Sequence, residues 1–283
     1  MGYKVAVVGA TGAVGREFVD LLNRGTLPAR RISLLSSERS AGITLNLRDA
    51  DVCVTQACSE KLKDASLAVF CASADVTRRF TPTVIEAGGL VVDNSSAFRM
   101  DAGVPLVVPE VNPDDLETHR GIIASPNCTA IILLMAIAPI HRAFPIKRIV
   151  VSTYQAASGA GRRAMLELEE QTRDILDGKP AKPDVFPVQC AFNLFSHNTP
   201  IDEQGYNTEE AKMVHETRKI FAQPDMAITA TCIRIPVLRA HSEAINLTFC
   251  EPVTAEEIRE ILSKAPGLTL MDDRENNHFP TPI

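Results

Sequence analysis

Cys128 stands at a break between two apolar runs. Ile122 to Ala124 precedes it, then Ser125-Pro126-Asn127, and a run of helical length continues from Cys128 to Pro139. Asn, Ser and Thr favour helix starts, and Pro126 makes the residue before it extended, so the spacing predicts Cys128 in the first turn of a largely buried helix. A thiol there meets unpaired N–H groups and the positive end of the helix dipole, which favour a thiolate. The competing reading is a small buried hydrophobe. Arg234-Ile-Pro-Val-Leu-Arg-Ala-His241 lies between two β-rich segments and brings an imidazole suited to proton transfer near two guanidinium groups. A histidine in such a turn is also compatible with a structural role. Glu209 and Lys212 share one helix face at i, i+3, and taken alone read as an exposed ion pair worth a few tenths of a kcal/mol, about 0.2–0.5.

The elements that must position these groups begin at Tyr3–Val8, a short strand that is apolar from Val5 onward. Gly9-Ala-Thr-Gly12-Ala-Val-Gly15 and a helical pattern from Arg16 to Asn23 follow. Strand, glycine turn and helix form the context of a dinucleotide-binding fingerprint, here with the spacing G-x-x-G-x-x-G. Gly9 permits the tight turn, Gly12 the approach of a pyrophosphate, and Gly15 the packing of helix on strand. The next strand, Arg31 to Leu35, runs into Ser36-Ser37-Glu38-Arg39-Ser40. Hydroxyls and a guanidinium suit a ribose 2′-phosphate, which points to NADP, whereas Glu38 suits a hydroxyl.

Leu67 to Cys71 reads as a buried strand ending in small residues, Ala72-Ser73-Ala74. A helix over Val76–Ala87 and a strand over Leu90–Asp93 follow. Strand and helix patterns thus alternate from residue 3 to about 125, as in a doubly wound parallel sheet. Arg99, beyond the carboxyl end of a strand, is either an anion ligand or a surface cation. In the second half, a strand over Arg148–Tyr154 breaks at Gln155, and Arg163–Leu176 forms an amphipathic helix. A further helix opens near Asn207 with Thr208 as its expected N-cap. Ala227–Ile235 and Ala244–Phe249 alternate as in a mixed sheet with one exposed face, and Thr254-Ala-Glu-Glu257 is a capping box.

Composition narrows the function classes. The chain has 283 residues, 45% hydrophobic content and a net charge of −6, which argues against a general nucleic-acid binder. No apolar run is long enough to span a bilayer, and the first residues run straight into a strand, so neither a membrane span nor a signal peptide is expected. Seven dispersed cysteines without paired spacing predict reduced thiols in a cytoplasmic protein, with no metal site.

A nicotinamide site, a helix-start cysteine, a histidine and several arginines suggest one chemistry. A thiolate attacks an acyl phosphate, phosphate leaves, and a hydride reduces the resulting thioester to an aldehyde. At this point four motifs resemble the aspartate-semialdehyde dehydrogenase family. They are Gly9-Ala-Thr-Gly-Ala-Val-Gly15, Asn94-Ser-Ser-Ala-Phe-Arg99, Ser125-Pro-Asn-Cys-Thr129 and Arg234-x-Pro-Val-x-Arg-x-His241. The resemblance runs through the whole chain in order.

That resemblance implies a doubly wound (Rossmann) NADP-binding domain over residues 1–127. It also implies an α+β catalytic and dimerisation domain with a mixed sheet over 128–283. It implies reductive dephosphorylation of aspartyl 4-phosphate to aspartate 4-semialdehyde, in the pathway to lysine, threonine, methionine and diaminopimelate, by a cytoplasmic homodimer. Cys128 would be the nucleophile, His241 the acid–base catalyst, and Gln155 the residue orienting substrate or thioester. Arg234 and Glu209 would hold the substrate's carboxylate and amino group; Arg99, Lys212 and Asn127 would bind phosphate. NADP would meet Gly9, Thr11, Gly12, Ala13, Val14, Ser37, Arg39, Ser40, Ser73, Ser158 and Gly159. Family members continue for several dozen residues past Ile283, through a helix that returns to the cofactor domain, so an inactive relative is one alternative. The other is N-acetyl-glutamyl-phosphate reductase, whose cysteine follows Pro-Gly rather than Pro126-Asn127.

Overall fold

The computed structural model describes residues 2–197 and 199–283. The chain forms two compact units: one runs to Val107 and takes in Asp114–Pro126, the other contains Val108–Pro113 and Asn127–Ile283. In chain order the first unit contains β1 (Tyr3–Val8), α1 (Ala13–Asn23), β2 (Ala29–Ser36), β3 (Thr44–Leu47), β4 (Ala50–Cys53) and β5 (Thr55–Gln56). It continues with α2 (Ser59–Leu62), β6 (Leu67–Phe70), α3 (Ala74–Glu86), β7 (Leu90–Asp93) and β8 (Ile122–Ala124).

Six of these strands form one sheet in the order β5-β2-β1-β6-β7-β8, and every pairing is parallel. The order is that of a doubly wound dinucleotide-binding sheet. It explains why Val5 to Val8 is apolar without alternation, since both faces are covered. Val5 and Val7 pack with Val19 and Leu22 of α1, whereas Ala6 and Val8 pack with Leu62, Phe80 and Val84 of α2 and α3.

The alternation expected from residue 3 to 125 is interrupted twice. Between β2 and β5 lies an antiparallel hairpin of β3 and β4, and no α-helix connects β7 to β8. The hairpin turns through Arg48 and Asp49, at φ 52° and 62°. Such a turn is normally signalled by Asn-Gly, so Arg-Asp hides it. It is fixed instead by Leu45 and Leu47, which are buried in the cluster around α1.

The second unit contains α4 (Cys128–Ala143), β9 (Ile146–Gln155), α5 (Arg162–Leu176), β10 (Phe195–Ser196) and α6 (Thr208–Ile220). β11 (Ala227–Arg234), β12 (Ser242–Phe249) and α7 (Ala255–Lys264) complete it. The sheet order is β10-β11-β9-β12. β9 and β11 are parallel, while β10 and β12 are antiparallel to their neighbours, giving the expected mixed sheet. Ile149 and Val151 of β9 pack with Leu133 and Ile137 of α4 and Met213 and Val214 of α6. Each large side chain buried there contributes roughly 1.5–3 kcal/mol.

Two helix starts are fixed by capping boxes, and the first positions Glu209 and Lys212. α6 is capped by Asn207, not Thr208. Asn207 Oδ1 accepts Glu210 N–H at 2.9 Å, and Glu210 Oε2 accepts Asn207 N–H at 3.0 Å. Asparagine is the better N-cap, and Glu210 three residues on closes the box. α7 has the capping box anticipated at Thr254 and Glu257.

Candidate active site

In the second unit Cys128 is the first residue of α4 and is exposed, although the inward face of the helix behind it is buried. Asn127 is the N-cap: its Oδ1 accepts Thr129 N–H at 3.0 Å. The cap residue also reaches outside its own helix. Its Nδ2 donates to Glu209 Oε1 at 2.8 Å, and its backbone N–H donates to Glu216. Most of the Asn127 side chain that the sequence assigns to phosphate is therefore engaged in holding the start of α4.

Glu209 is the hub of the polar network. Gln155 Nε2 donates to its Oε1 at 3.1 Å, and Lys212 Nζ donates to its Oε2 at 3.0 Å. The side chain is buried, which corrects the reading of an exposed pair. Burial pushes its pKa up, but the Lys212 charge and the hydrogen bonds from Lys212, Asn127 and Gln155 outweigh it and hold the carboxyl at about 2. A buried carboxylate with three named donors is a fixed negative charge. Gln155 itself is oriented by Thr153, whose hydroxyl donates to Gln155 Oε1 at 3.2 Å.

Arg234 faces Gln155 across the β11–β9 pairing and is buried. Its Nη1 donates to Gln155 O at 3.2 Å and to Ala156 O, and its guanidinium stands 5.8 Å from the Phe186 ring centroid. Burial lowers its pKa, opposed first by Glu209 and then by the sulfurs of Cys190, Cys128 and Cys232. Cys128 and Arg234 thus lie within electrostatic reach of each other.

His241 immediately precedes β12 and follows Ala240, a non-glycine residue at φ 64°. Its Nδ1 accepts Ala156 N–H at 2.9 Å, which leaves Nε2 as the proton-bearing nitrogen of the neutral ring. Burial, then the Arg234 charge, pull its pKa down to about 4. Gly159 explains how the ring and guanidinium approach one another. A Cβ built there would lie 3.3 Å from His241 Cε1 and Nε2 and 3.5 Å from Arg234 Nη1. Gly159 therefore packs against the acid–base candidate, and neighbouring Ser158 is held by its N–H to Leu238 O at 3.0 Å.

Glu216 and the Ala156 amide are additional polar partners, and His197 an additional charge neighbour of His241, that the sequence does not single out. A signal existed for Glu216, because Glu209 and Glu216 are seven residues apart on one helix face. None existed for the Ala156 amide, which carries no side-chain information.

The first unit holds the remaining candidates. Gly9 is at φ 88°, and a Cβ on it would come 2.3 Å from Cys71 O; one on Gly15 would come 2.1 Å from Gly9 O. One on Gly12 would meet Gly9 O at 3.3 Å and Cys71 O at 3.9 Å. Gly12 caps α1 without a side chain, and the first intrahelical hydrogen bond joins Arg16 N–H to Gly12 O. The Ala13, Val14 and Gly15 amides precede that bond and form a bare helix N-terminus, which suits a dinucleotide pyrophosphate. Thr11 O accepts Arg16 Nε–H at 3.2 Å, and Val14 is exposed.

Ser37, Arg39 and Ser40 lie at the carboxyl end of β2, where Glu38–Ser40 forms a 3₁₀ turn and Arg39 is exposed. Ser73 occupies the N-cap position of α3. Arg99 is buried: Nε donates to Ser125 O at 2.9 Å and Nη2 to Asn94 O at 3.2 Å. It fastens the loop after β7 to the chain after β8, so it is not an ordinary surface arginine.

Residues 4–119 match the family model described as semialdehyde dehydrogenase, NAD binding domain, and residues 137–283 match semialdehyde dehydrogenase, dimerisation domain. The chain is 50% identical over 280 residues to an aspartate-semialdehyde dehydrogenase of Synechocystis sp., covering 99% of this chain and 83% of that one. Its fold is similar to that of aspartate semialdehyde dehydrogenase II of Vibrio cholerae complexed with ASA, at a TM-score of 0.95 and 39% identity. That match covers 100% of this chain and 84% of the other. It also resembles the Candida albicans enzyme with NADP, at a TM-score of 0.69 and 25% identity, covering 93% and 76% of the two chains.

Proposed function

The chain belongs to the aspartate-semialdehyde dehydrogenase family, and we propose that Cys128 is the nucleophile through which it converts aspartyl 4-phosphate to aspartate 4-semialdehyde. The family's members are NADP-dependent oxidoreductases of amino-acid biosynthesis. The observation that carries the residue assignments is the convergence, in one unit, of a helix-start cysteine with Gln155, Glu209, Arg234 and His241.

In this reading Cys128 Sγ attacks the acyl carbon, the carbon–oxygen bond to phosphate breaks, and a thioester remains on Cys128. Bound NADPH would supply the hydride for reduction of this thioester. Collapse of the tetrahedral adduct breaks the carbon–sulfur bond and returns Cys128 as thiolate with the aldehyde released. His241 works through Nε2, the nitrogen left by the Ala156 amide, at the oxygen and sulfur whose charge changes. Gln155 orients the acyl group. Arg234 takes the substrate carboxylate and Glu209, ionised at about 2, its ammonium. Lys212 and Arg99 supply positive charge for phosphate, with Asn127 holding the helix start. The bare α1 terminus with Gly9, Thr11, Gly12, Ala13 and Val14, and the Ser37, Arg39, Ser40 and Ser73 loops, bind NADP, with Ser158 and Gly159 as further contacts.

The domain division near Asn127 follows from the same assignment. A homodimer is supported by the matched dimerisation description and by exposed apolar side chains in the second unit, Tyr154, Phe192, Leu194 and Leu238 among them. Among the described residues no helix is long and apolar enough to cross a membrane, and a biosynthetic role suits the cytoplasm. The reading is tested by phosphate-dependent reduction of NADP with aspartate semialdehyde, comparing the chain with Cys128→Ala. Activity lost only in the variant supports the thioester route. Equal activity in both overturns it, and none in either supports the inactive alternative.

A further inference from the structure

Two adjacent features of the second unit are incompletely satisfied. The first is Arg234, a buried guanidinium whose Nη1 donates only to the backbone carbonyls of Gln155 and Ala156. Among the described residues no carboxylate forms an ion pair with it. The second is His197, whose Nε2 is buried and meets no hydrogen-bond partner among the described residues. A buried nitrogen without a partner is costly to keep, and a ligand that accepts from it removes that cost.

The sheet brings the two together. β10 runs antiparallel to β11 with Phe195 opposite Arg234 and Ser196 opposite Ile233. Continuing that register sets His197 opposite Cys232. Residues two apart on a strand share a face, so His197 and Arg234 lie on the same side of the sheet as Gln155. We infer that His197 is a substrate-positioning residue whose Nε2–H binds the α-carboxylate of the aspartyl substrate beside Arg234. One carboxylate then satisfies both features, a cation without a counter-ion and a ring nitrogen without a partner.

The surroundings favour an anion over the substrate's ammonium. Burial first, then Arg234, hold His197 below its ordinary pKa, with Lys212 acting in the same sense against Glu209 and Glu210. Of the charges acting on the ring, the positive Arg234 acts most strongly. A carboxylate placed there accepts from both groups, whereas an ammonium would face Arg234.

The inference rests on the substrate assigned above, so its test separates the two. Calorimetry would measure aspartate semialdehyde binding to the full chain carrying Cys128→Ala, with and without His197→Ala, His197→Gln and His197→Asn. The expected result is about tenfold weaker binding for His197→Ala. His197→Gln, whose amide reaches the position of Nε2, should recover most of it, and the shorter His197→Asn should not. With Cys128 present, the KM for semialdehyde should rise about as much, kcat should move less than about threefold, and the KM for NADP should stay unchanged. Binding that is indifferent to His197→Ala, or absent from the Cys128→Ala chain altogether, overturns the inference, as does a joint fall in kcat and NADP affinity. An active chain indifferent to His197 sinks this inference alone. An inactive chain that binds semialdehyde through His197 sinks the assigned activity alone.

Discussion

Asn127 Nδ2 lies 2.8 Å from Glu209 Oε1 while Asn127 Oδ1 accepts Thr129 N–H, so one side chain joins the start of the nucleophile's helix to the carboxylate on α6. The backbone position of Cys128 and the orientation of Glu209 are therefore coupled through a single amide.

Replacing Asn127 by Ala removes the cap and one Glu209 donor together. Unfolding by denaturant should show a loss of about 1–2 kcal/mol. Asn127→Asp keeps a capping oxygen but sets a second carboxylate against Glu209. Its stability loss should be the smaller of the two, while kcat falls at least about tenfold. If both variants have wild-type kcat, the coupling has no catalytic consequence.

Glu209→Gln should be less stable than the parent near neutrality and equal to it in acid. The native carboxyl is held at about 2 against an ordinary 4.5. A depressed pKa contributes stability above the unfolded value, and this is lost as pH falls from 4.5 through 2. The variant also leaves Lys212 without its anion. A deficit of about 1–3 kcal/mol at pH 7 that shrinks below pH 4.5 and closes only as pH falls through about 2 is expected from melting curves. A deficit constant with pH would assign the effect to packing.

Glu243 has the opposite sign. It stands opposite Thr153 on β12, both carboxyl oxygens are buried without a hydrogen-bond partner among the described residues, and burial pushes its pKa up to about 8. The neutral acid is native, so its stability is complete below 4.5 and declines as pH rises through 8. Glu243→Gln should therefore be more stable than the parent at pH 8, by about 1–3 kcal/mol, and unchanged at pH 4. Equal melting temperatures at pH 8 would refute the buried-acid assignment.

The glycine turn gives a graded pair. Gly15→Ala places a methyl 2.1 Å from Gly9 O, backbone that cannot move aside, and should cost more than about 2 kcal/mol of stability. Gly12→Ala meets Gly9 O only at 3.3 Å. It should fold nearly normally and raise the KM for NADP about tenfold or more. Similar thermal stability for both variants would contradict the packing role of Gly15.

Arg39→Ala tests the choice of cofactor. Loss of a charged contact to a 2′-phosphate costs about 1.5–3 kcal/mol, so the KM for NADP should rise roughly 10- to 100-fold while that for NAD changes little. Parallel changes for the two cofactors would leave Arg39 as a solvated loop cation.

The sequence by itself determined what neighbouring residues decide. Val5 to Val8 followed by three spaced glycines defines strand, turn and helix because conformational freedom and apolar runs are local properties. The start of α4 at Cys128 is local for the same reason, since Pro126 and Asn127 restrict and cap the chain next to it. Thr208 shows where local signals compete: Asn207 and Thr208 both cap helices, and the Glu210 side chain selects the first. The β3–β4 hairpin was illegible because Arg48-Asp49 is not a turn signature, and it is the burial of Leu45 and Leu47 that keeps it.

Tertiary structure alone decided the electrostatics of the site. Glu209 and Lys212 look like a solvated pair until Asn127 and Gln155, 82 and 54 residues distant, cover the carboxylate. The tautomer of His241 depends on an amide 85 residues away, and the placement of Arg234 and His197 on one face depends on strand register. Burial and hydrogen-bond partners are properties of the surface that packs against a side chain, and that surface exists only when the whole unit has folded.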